Sequence, residues 1–118
     1  MKRRVLIVDD VEDIRLMLRY MIEKAGHVIV GEAANGVEAV EMYREYLPDI
    51  TIMDIDMPFK TGVEAAREIR EFNDASRIIF CSGGISKFES TPAELNFVGN
   101  GLLRKPFLPS QLYQALSA

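Results

Sequence analysis

The sequence predicts an α/β protein: one five-stranded parallel sheet of strand order 2-1-3-4-5, doubly wound with five helices. Three observations predict it. Short apolar runs recur at residues 5–8, 28–30, 50–53, 77–82 and 101–104, the segments between them carry apolar residues at helical spacing, and the connections are short. Continuous apolar runs mark strands covered on both faces. Strands that alternate with helices are joined by right-handed crossovers into a parallel sheet. The alternation leaves strand order open, and 2-1-3-4-5 is the natural doubly wound order for five strands of this length.

Residues 5–8 stop at Asp9-Asp10, so a central strand delivers two adjacent carboxylates at its carboxyl end. Ile14, Met17, Leu18, Met21, Ile22 and Ala25 then form one helical stripe, which Gly26 ends. Residues 28–30 begin a shorter strand running on towards Ala33, and Asn35-Gly36 supplies the turn before a helix with Val37, Val40, Tyr43 and Leu47 on one face. That helix stops before Pro48. Ile50, Thr51, Ile52 and Met53, rich in β-branched residues and bounded by Pro48 and Pro58, form a third strand that runs out at Asp54. A loop from Met57 to Gly62 leads into a helix reaching about Phe72, with Val63, Ala66 and Ile69 inward, and residues 77–82 give a fourth strand. Beyond Gly83-Gly84 the pattern weakens. Thr91-Pro92-Ala93-Glu94 reads as a capping box with proline at the first helical position, opening a short fourth helix before Gly99. Residues 101–104 form the fifth strand, ending at Lys105-Pro106, and Pro109 opens a fifth helix with Leu112, Ala115 and Leu116 on one side.

A chain of 118 residues is the size of one domain, here residues 1–118, and buries roughly two thirds of its unfolded surface. Its net charge of −4, with basic and acidic residues interspersed, offers no basic stripe for nucleic acid or an anionic membrane. No apolar run approaches a membrane span, and the run after Met1-Lys2-Arg3-Arg4 is too short for a signal peptide, so the expected location is cytoplasmic. Cys81, the only cysteine, sits in an apolar run and reads as a small buried hydrophobe. His27, the only histidine, has no partner for a zinc site or a nucleophile pair and reads as structural.

With that strand order, strands one, three, four and five release their last residues on one edge, which brings Asp9, Asp10, Asp54, Ser82 and Lys105 together. In open α/β sheets this crevice is where ligands bind. Three crowded carboxylates raise one another's pKa unless cations intervene. Three carboxylates and one ammonium leave −2, which one divalent ion cancels, and carboxylate oxygens suit a hard ion such as Mg2+ rather than zinc. A carboxylate beside Mg2+, a lysine and a hydroxyl is suited to accepting a phosphoryl group. Asp54 is then the nucleophile, Lys105 with the ion neutralises the equatorial oxygens, and Ser82 donates a hydrogen bond to one of them. Taken singly, Asp9-Asp10 also reads as a loop start, Ser82 as a turn residue and Lys105 as a surface charge.

The motifs Val5-Leu6-Ile7-Val8-Asp9-Asp10, Asp54-Ile55-Asp56-Met57-Pro58 with Gly62, Cys81-Ser82-Gly83 and Lys105-Pro106-Phe107, in this order and spacing, resemble the receiver domain of two-component response regulators across essentially the whole chain. The resemblance implies the flavodoxin-like form of the fold and phosphorylation of Asp54 by a histidine kinase or phosphotransfer protein. It further implies Mg2+ held by Asp9 or Asp10, by Asp54 and by the backbone carbonyl of Asp56, contact of Ser82 and Lys105 with the phosphoryl group, and a cis peptide before Pro106. Such a domain is a switch that catalyses only its own phosphorylation and dephosphorylation. It meets an output partner through the fourth helix, fifth strand and fifth helix.

Two departures from the family pattern bear on that switch. Leu102 stands where relatives often carry an aromatic residue that turns inward on activation, and residues 83–90 with the short helix after Thr91 replace a longer helix. Two further readings stay open. A phosphorylation-independent pseudo-receiver would keep the fold as a binding module. An aspartate-nucleophile phosphatase is the other, since Asp54-Ile55-Asp56 resembles the Asp-x-Asp motif of haloacid-dehalogenase-like enzymes, although that motif is expected on a first strand. The chain fits either a free-standing regulator or the amino-terminal part of a longer protein.

Overall fold

The structure, a computed structural model, describes residues 2–83 and 101–117. The elements follow in the order β1 (Arg4–Val8), α1 (Glu12–Lys24), β2 (Val28–Ala33), α2 (Gly36–Tyr46), β3 (Ile50–Asp54), α3 (Gly62–Phe72), β4 (Ile78–Ser82), β5 (Gly101–Arg104) and α4 (Pro109–Ser117), the carboxyl-terminal helix. The five strands form one parallel sheet in the order β2-β1-β3-β4-β5. The short helix expected from Thr91 lies outside the described residues.

Side-chain alternation along each strand explains why helices cover both faces. Val5, Ile7, Ile50, Ile52, Ile79 and Cys81 point to one side, where they pack with Leu18 and Ile22 of α1 and Leu112 and Leu116 of α4. Leu6, Val8, Met53, Ile78 and Phe80 point to the other, where Val40 and Tyr43 of α2 and Val63, Ala66 and Ile69 of α3 close over them. Two of the expected helical faces are narrower than their spacing implies. On α1, Leu18 and Ile22 are fully buried while Met17 and Ala25 are exposed. On α2 the inward positions are Gly36, Ala39, Val40 and Tyr43, whereas Val37 and Leu47 stay 41% and 53% exposed. An apolar residue at a helix end has no sheet beneath it; Leu47 is the C-cap of α2, with φ 47°.

The helix starts set the loops that surround the carboxyl edge of the sheet. Asn35 is the N-cap of α2 rather than part of a free turn, its side chain accepting the Glu38 backbone N–H at 2.9 Å. Thr61 and Glu64 form a capping box at the start of α3, with the Thr61 hydroxyl accepting from the Glu64 N–H at 3.2 Å and the Glu64 carboxylate from the Thr61 N–H at 3.0 Å. Gly26 takes φ +93° just past α1, as the sequence predicts for that terminator. His27 accepts the Arg3 N–H on Nδ1 at 2.9 Å, and partial burial together with the nearby N-terminal and Arg3 charges lowers its pKa, in keeping with a structural role. Among the described residues no helix is long and apolar enough to cross a membrane.

Candidate functional site

Asp54 extends β3 by one residue beyond its apolar run and is only 8% exposed. The peptide that follows it is held from two directions. The Ile55 N–H donates to the Cys81 carbonyl of β4 at 3.2 Å, and the Gly62 N–H donates back to the Ile55 carbonyl at 2.8 Å. The first turn of α3 thereby closes directly onto the strand end. A Cβ at Gly62 would lie 2.0 Å from the Asp54 carbonyl oxygen, so only glycine permits this approach. The sequence marked Gly62 as part of a motif, and the fold supplies the physical reason. The intervening loop turns sharply at Phe59, which has φ 69° with the Lys60 N–H donating to the Pro58 carbonyl at 2.8 Å. It seats the Lys60 carbonyl where a Cβ at Gly36 would be 2.4 Å away.

Asp9 follows β1 directly and is almost completely buried, at 1% exposure. Every polar atom of this residue is engaged. Its N–H donates to the Ala33 carbonyl at 3.0 Å, Oδ1 accepts the Val11 N–H at 2.9 Å, Oδ2 accepts from Lys105 Nζ at 2.7 Å, and its carbonyl accepts from Arg15 Nη1 at 2.7 Å. Lys105, one residue past β5 and followed by a cis bond to Pro106, also lies 3.5 Å from Asp54 Oδ1. Carboxylate oxygens of Asp9, Asp10 and Asp54 fall within 4.8 Å of one another, with Asp10 exposed to solvent.

Four of the residues singled out from the sequence, Asp9, Asp10, Asp54 and Lys105, are therefore brought together. Ser82 ends β4 one position beyond the Asp54–Cys81 register pair, so its backbone reaches the same edge; its side chain lies outside what is described. Asp56 stands half-buried in the bend after β3. Arg15 and Glu32, the residues that brace Asp9 from α1 and β2, are not marked by any local sequence signal, because the Arg15–Glu32 contact joins segments that are distant in the chain.

The electrostatics follow from this crowding. Burial first, and then the neighbouring Asp9 charge, push the Asp54 carboxyl up to about 7, against the opposing pull of Lys105. Burial alone would depress the Lys105 ammonium, but its hydrogen bond to Asp9 and the charges of Asp54 and Asp9 outweigh that and raise it. One ammonium among three carboxylates leaves the cluster short of positive charge. An all-oxygen donor set of this kind fits a hard divalent cation, with no thiol or imidazole in the cluster to favour a softer one. Cys81, adjacent in register, is buried, which pushes its thiol up to about 12 and keeps it a neutral core residue.

Comparison with known proteins agrees with this geometry. The family model for the response regulator receiver domain matches residues 5–117. The chain is 42% identical over 117 residues to the chemotaxis protein CheY of Thermotoga maritima, covering 99% of this chain and 97% of that protein. It is 43% identical to CheY of Halobacterium salinarum, covering 99% and 96%. Its structure is similar, with a TM-score of 0.87 and 30% identity over 96% of this chain and 85% of the other, to the crystal structure of a CheX–CheY–BeF3–Mg2+ complex from Borrelia burgdorferi. The strand order, the acidic cluster beside Lys105 and these matches along nearly the whole chain agree: the protein belongs to the response regulator receiver domain family.

Proposed function

We propose that this chain is the phosphoaccepting switch of a two-component system, with Asp54 as the acceptor. The observation that supports it best is the burial of Asp54 at a strand end with Lys105 3.5 Å away and two further carboxylates alongside. In the proposed reaction an Asp54 carboxylate oxygen attacks the phosphorus of a phosphohistidine on a histidine kinase or phosphotransfer protein. The O–P bond forms as the N–P bond breaks, the imidazole leaves and takes up a proton, and Asp54 becomes an acyl phosphate. Water attacking the same phosphorus returns the carboxylate.

Asp9, Asp10, Asp54 and the Asp56 backbone carbonyl are the proposed holders of Mg2+. Bound there, the ion supplies positive charge to the phosphoryl oxygens and to the ionised form of Asp54. The BeF3 and Mg2+ in the complex of a relative with the same fold support a site of this kind. Lys105 is already a cation, held by Asp9, and is within reach of a group added to Asp54. Ser82 is the proposed hydroxyl donor to that group. A new dianion on these partners biases the domain towards a second conformation, which an output protein reads through β5, α4 and the short helix that the sequence predicts after Thr91. Between β5 and α4, Leu102, Gln111 and Gln114 line a cleft of about 390 Å³.

This unit of residues 1–118 works in the cytoplasm and processes no metabolite. The phosphatase reading loses support because Asp54-Ile55-Asp56 starts at the end of β3, the third strand in the chain, and not at the end of the first. Intact mass after incubation with Mg2+ and acetyl phosphate tests the proposal. One phosphoryl group is expected on the wild type, none on Asp54→Ala and none in EDTA; a wild type that gains no phosphate even when cooled would make the chain a pseudo-receiver.

A further inference from the structure

The side chains of Asp9 and Asp10 leave two Cα atoms joined by a single planar peptide, whose oxygen is the Asp9 carbonyl. That oxygen is the one Arg15 holds, at 2.7 Å. Arg15 is held in turn: its Nε lies 3.5 Å from Glu32 Oε1, while the other Glu32 oxygen is taken by the Arg19 guanidinium, with Nε at 2.7 Å. Glu32 precedes Ala33, the residue whose carbonyl accepts the Asp9 N–H at 3.0 Å. The end of β2 therefore grips Asp9 at both ends, directly through its N–H and through Arg15 at its carbonyl. Arg15 is largely withdrawn from solvent, with 18% of its side chain exposed, and its planar fork suits a bridge between a carboxylate and a carbonyl.

We propose that Arg15, anchored by Glu32, is a positioning residue for the cation site: it fixes the Asp9–Asp10 peptide plane so that both carboxylates stay aimed at the ion despite their mutual repulsion. This rests on the Mg2+-binding role proposed above. Arg15 touches neither the reacting atoms nor the ion, and acts through the backbone of Asp9. Charge and position make opposite demands. A positive charge near a cation site opposes cation binding, so removing it by Coulomb's law alone would tighten Mg2+. Removing a brace that orients the ligands weakens Mg2+, typically by about tenfold or more for partners that orient metal ligands.

The test is calorimetric titration of Mg2+ into the unphosphorylated wild type, R15Q and R15K at fixed ionic strength, with the thermal midpoint of each measured in EDTA. R15Q is expected to bind Mg2+ about tenfold more weakly. R15K is expected to lose about threefold, because an ammonium reaches Glu32 or the Asp9 carbonyl but does not bridge both. The phosphorylation defect of both variants with acetyl phosphate disappears as Mg2+ is raised to saturation. Unchanged or tighter Mg2+ binding by R15Q, with only a lowered thermal midpoint, overturns the proposal and leaves Arg15 as a stability residue. Should R15Q fail to fold, R15K decides, since it conserves charge and an unchanged affinity there is equally fatal. A wild type that binds no Mg2+ at all overturns the phosphoacceptor reading together with this one, an outcome distinct from wild-type binding that the variants share.

Discussion

Asp54 is in an environment that opposes its own charge, and replacing it with asparagine should stabilise the metal-free protein. Its carboxyl titrates at about 7 in the folded state against an ordinary value of 3.8. Near pH 4 and below, the folded carboxyl is protonated and little penalty exists. Between about pH 4 and 7 the folded state keeps a proton that the unfolded chain releases, so stability falls as pH rises; above 7 the penalty is complete. A displacement of that size corresponds to on the order of 4 kcal/mol. Asp54→Asn removes this ionisation cost, in which the pull of Lys105 is already counted; discounting it by about half for solvent screening at a site open to water on the Asp10 side leaves a gain of ~2 kcal/mol, or ~8 °C in thermal midpoint for a domain of this size. Thermal melts of both proteins in EDTA from pH 4 to 8.5 measure the gap, which should open between about pH 4 and 7 and level off above it. Excess Mg2+ should narrow it, because binding to the wild type stabilises the folded state by mass action. An asparagine variant that is no more stable than the wild type at pH 8 in EDTA, or a gap that does not depend on pH, would refute the claim that burial holds the Asp54 carboxyl near 7.

Two further substitutions test the scaffold. Gly62→Ala places a Cβ 2.0 Å from the Asp54 carbonyl oxygen, a backbone atom that cannot step aside, so a loss of about 3 kcal/mol or more is expected in urea melts, and the phosphorylation rate of whatever folds should fall with it. Thr51 is fully buried in β3 and its hydroxyl has no hydrogen-bond partner among the described residues; Thr51→Val, of similar shape, should gain ~1 kcal/mol in the same melts, and a loss instead would mean that the hydroxyl is satisfied.

Strands were the most legible part of the chain. β1 beyond Arg4 and the whole of β3 are buried, and an uninterrupted run such as Val5-Leu6-Ile7-Val8 or Ile50-Thr51-Ile52-Met53 has few other solutions. Helical faces were less legible at their ends. The spacing of Val37 and Leu47 matches that of Val40 and Tyr43, but periodicity carries no information about where the sheet beneath a helix stops. Turn chemistry was read in part. Asn35-Gly36 was a turn signal that serves as a helix cap, and the Thr61–Glu64 capping box was present in the sequence but overshadowed by the Pro58 and Gly62 signals around it.

The sequence by itself determined the alternation of strands and helices, the abrupt change from apolar to acidic at Asp9 and Asp54, and the charge imbalance of three carboxylates against Lys105. These are local properties, fixed by side-chain type and period. Tertiary structure alone decided which polar groups of Asp9 are satisfied and by whom, that burial rather than neighbouring charge is the main force on Asp54, and that Gly62 exists to let α3 approach the Asp54 peptide. It also decided the Arg15–Glu32 brace. The Asp9 contacts with Ala33 and Lys105, the burial of Asp54 and the Arg15–Glu32 pair depend on distances between residues that are remote in the chain, and such distances are set only when the sheet assembles in its 2-1-3-4-5 order.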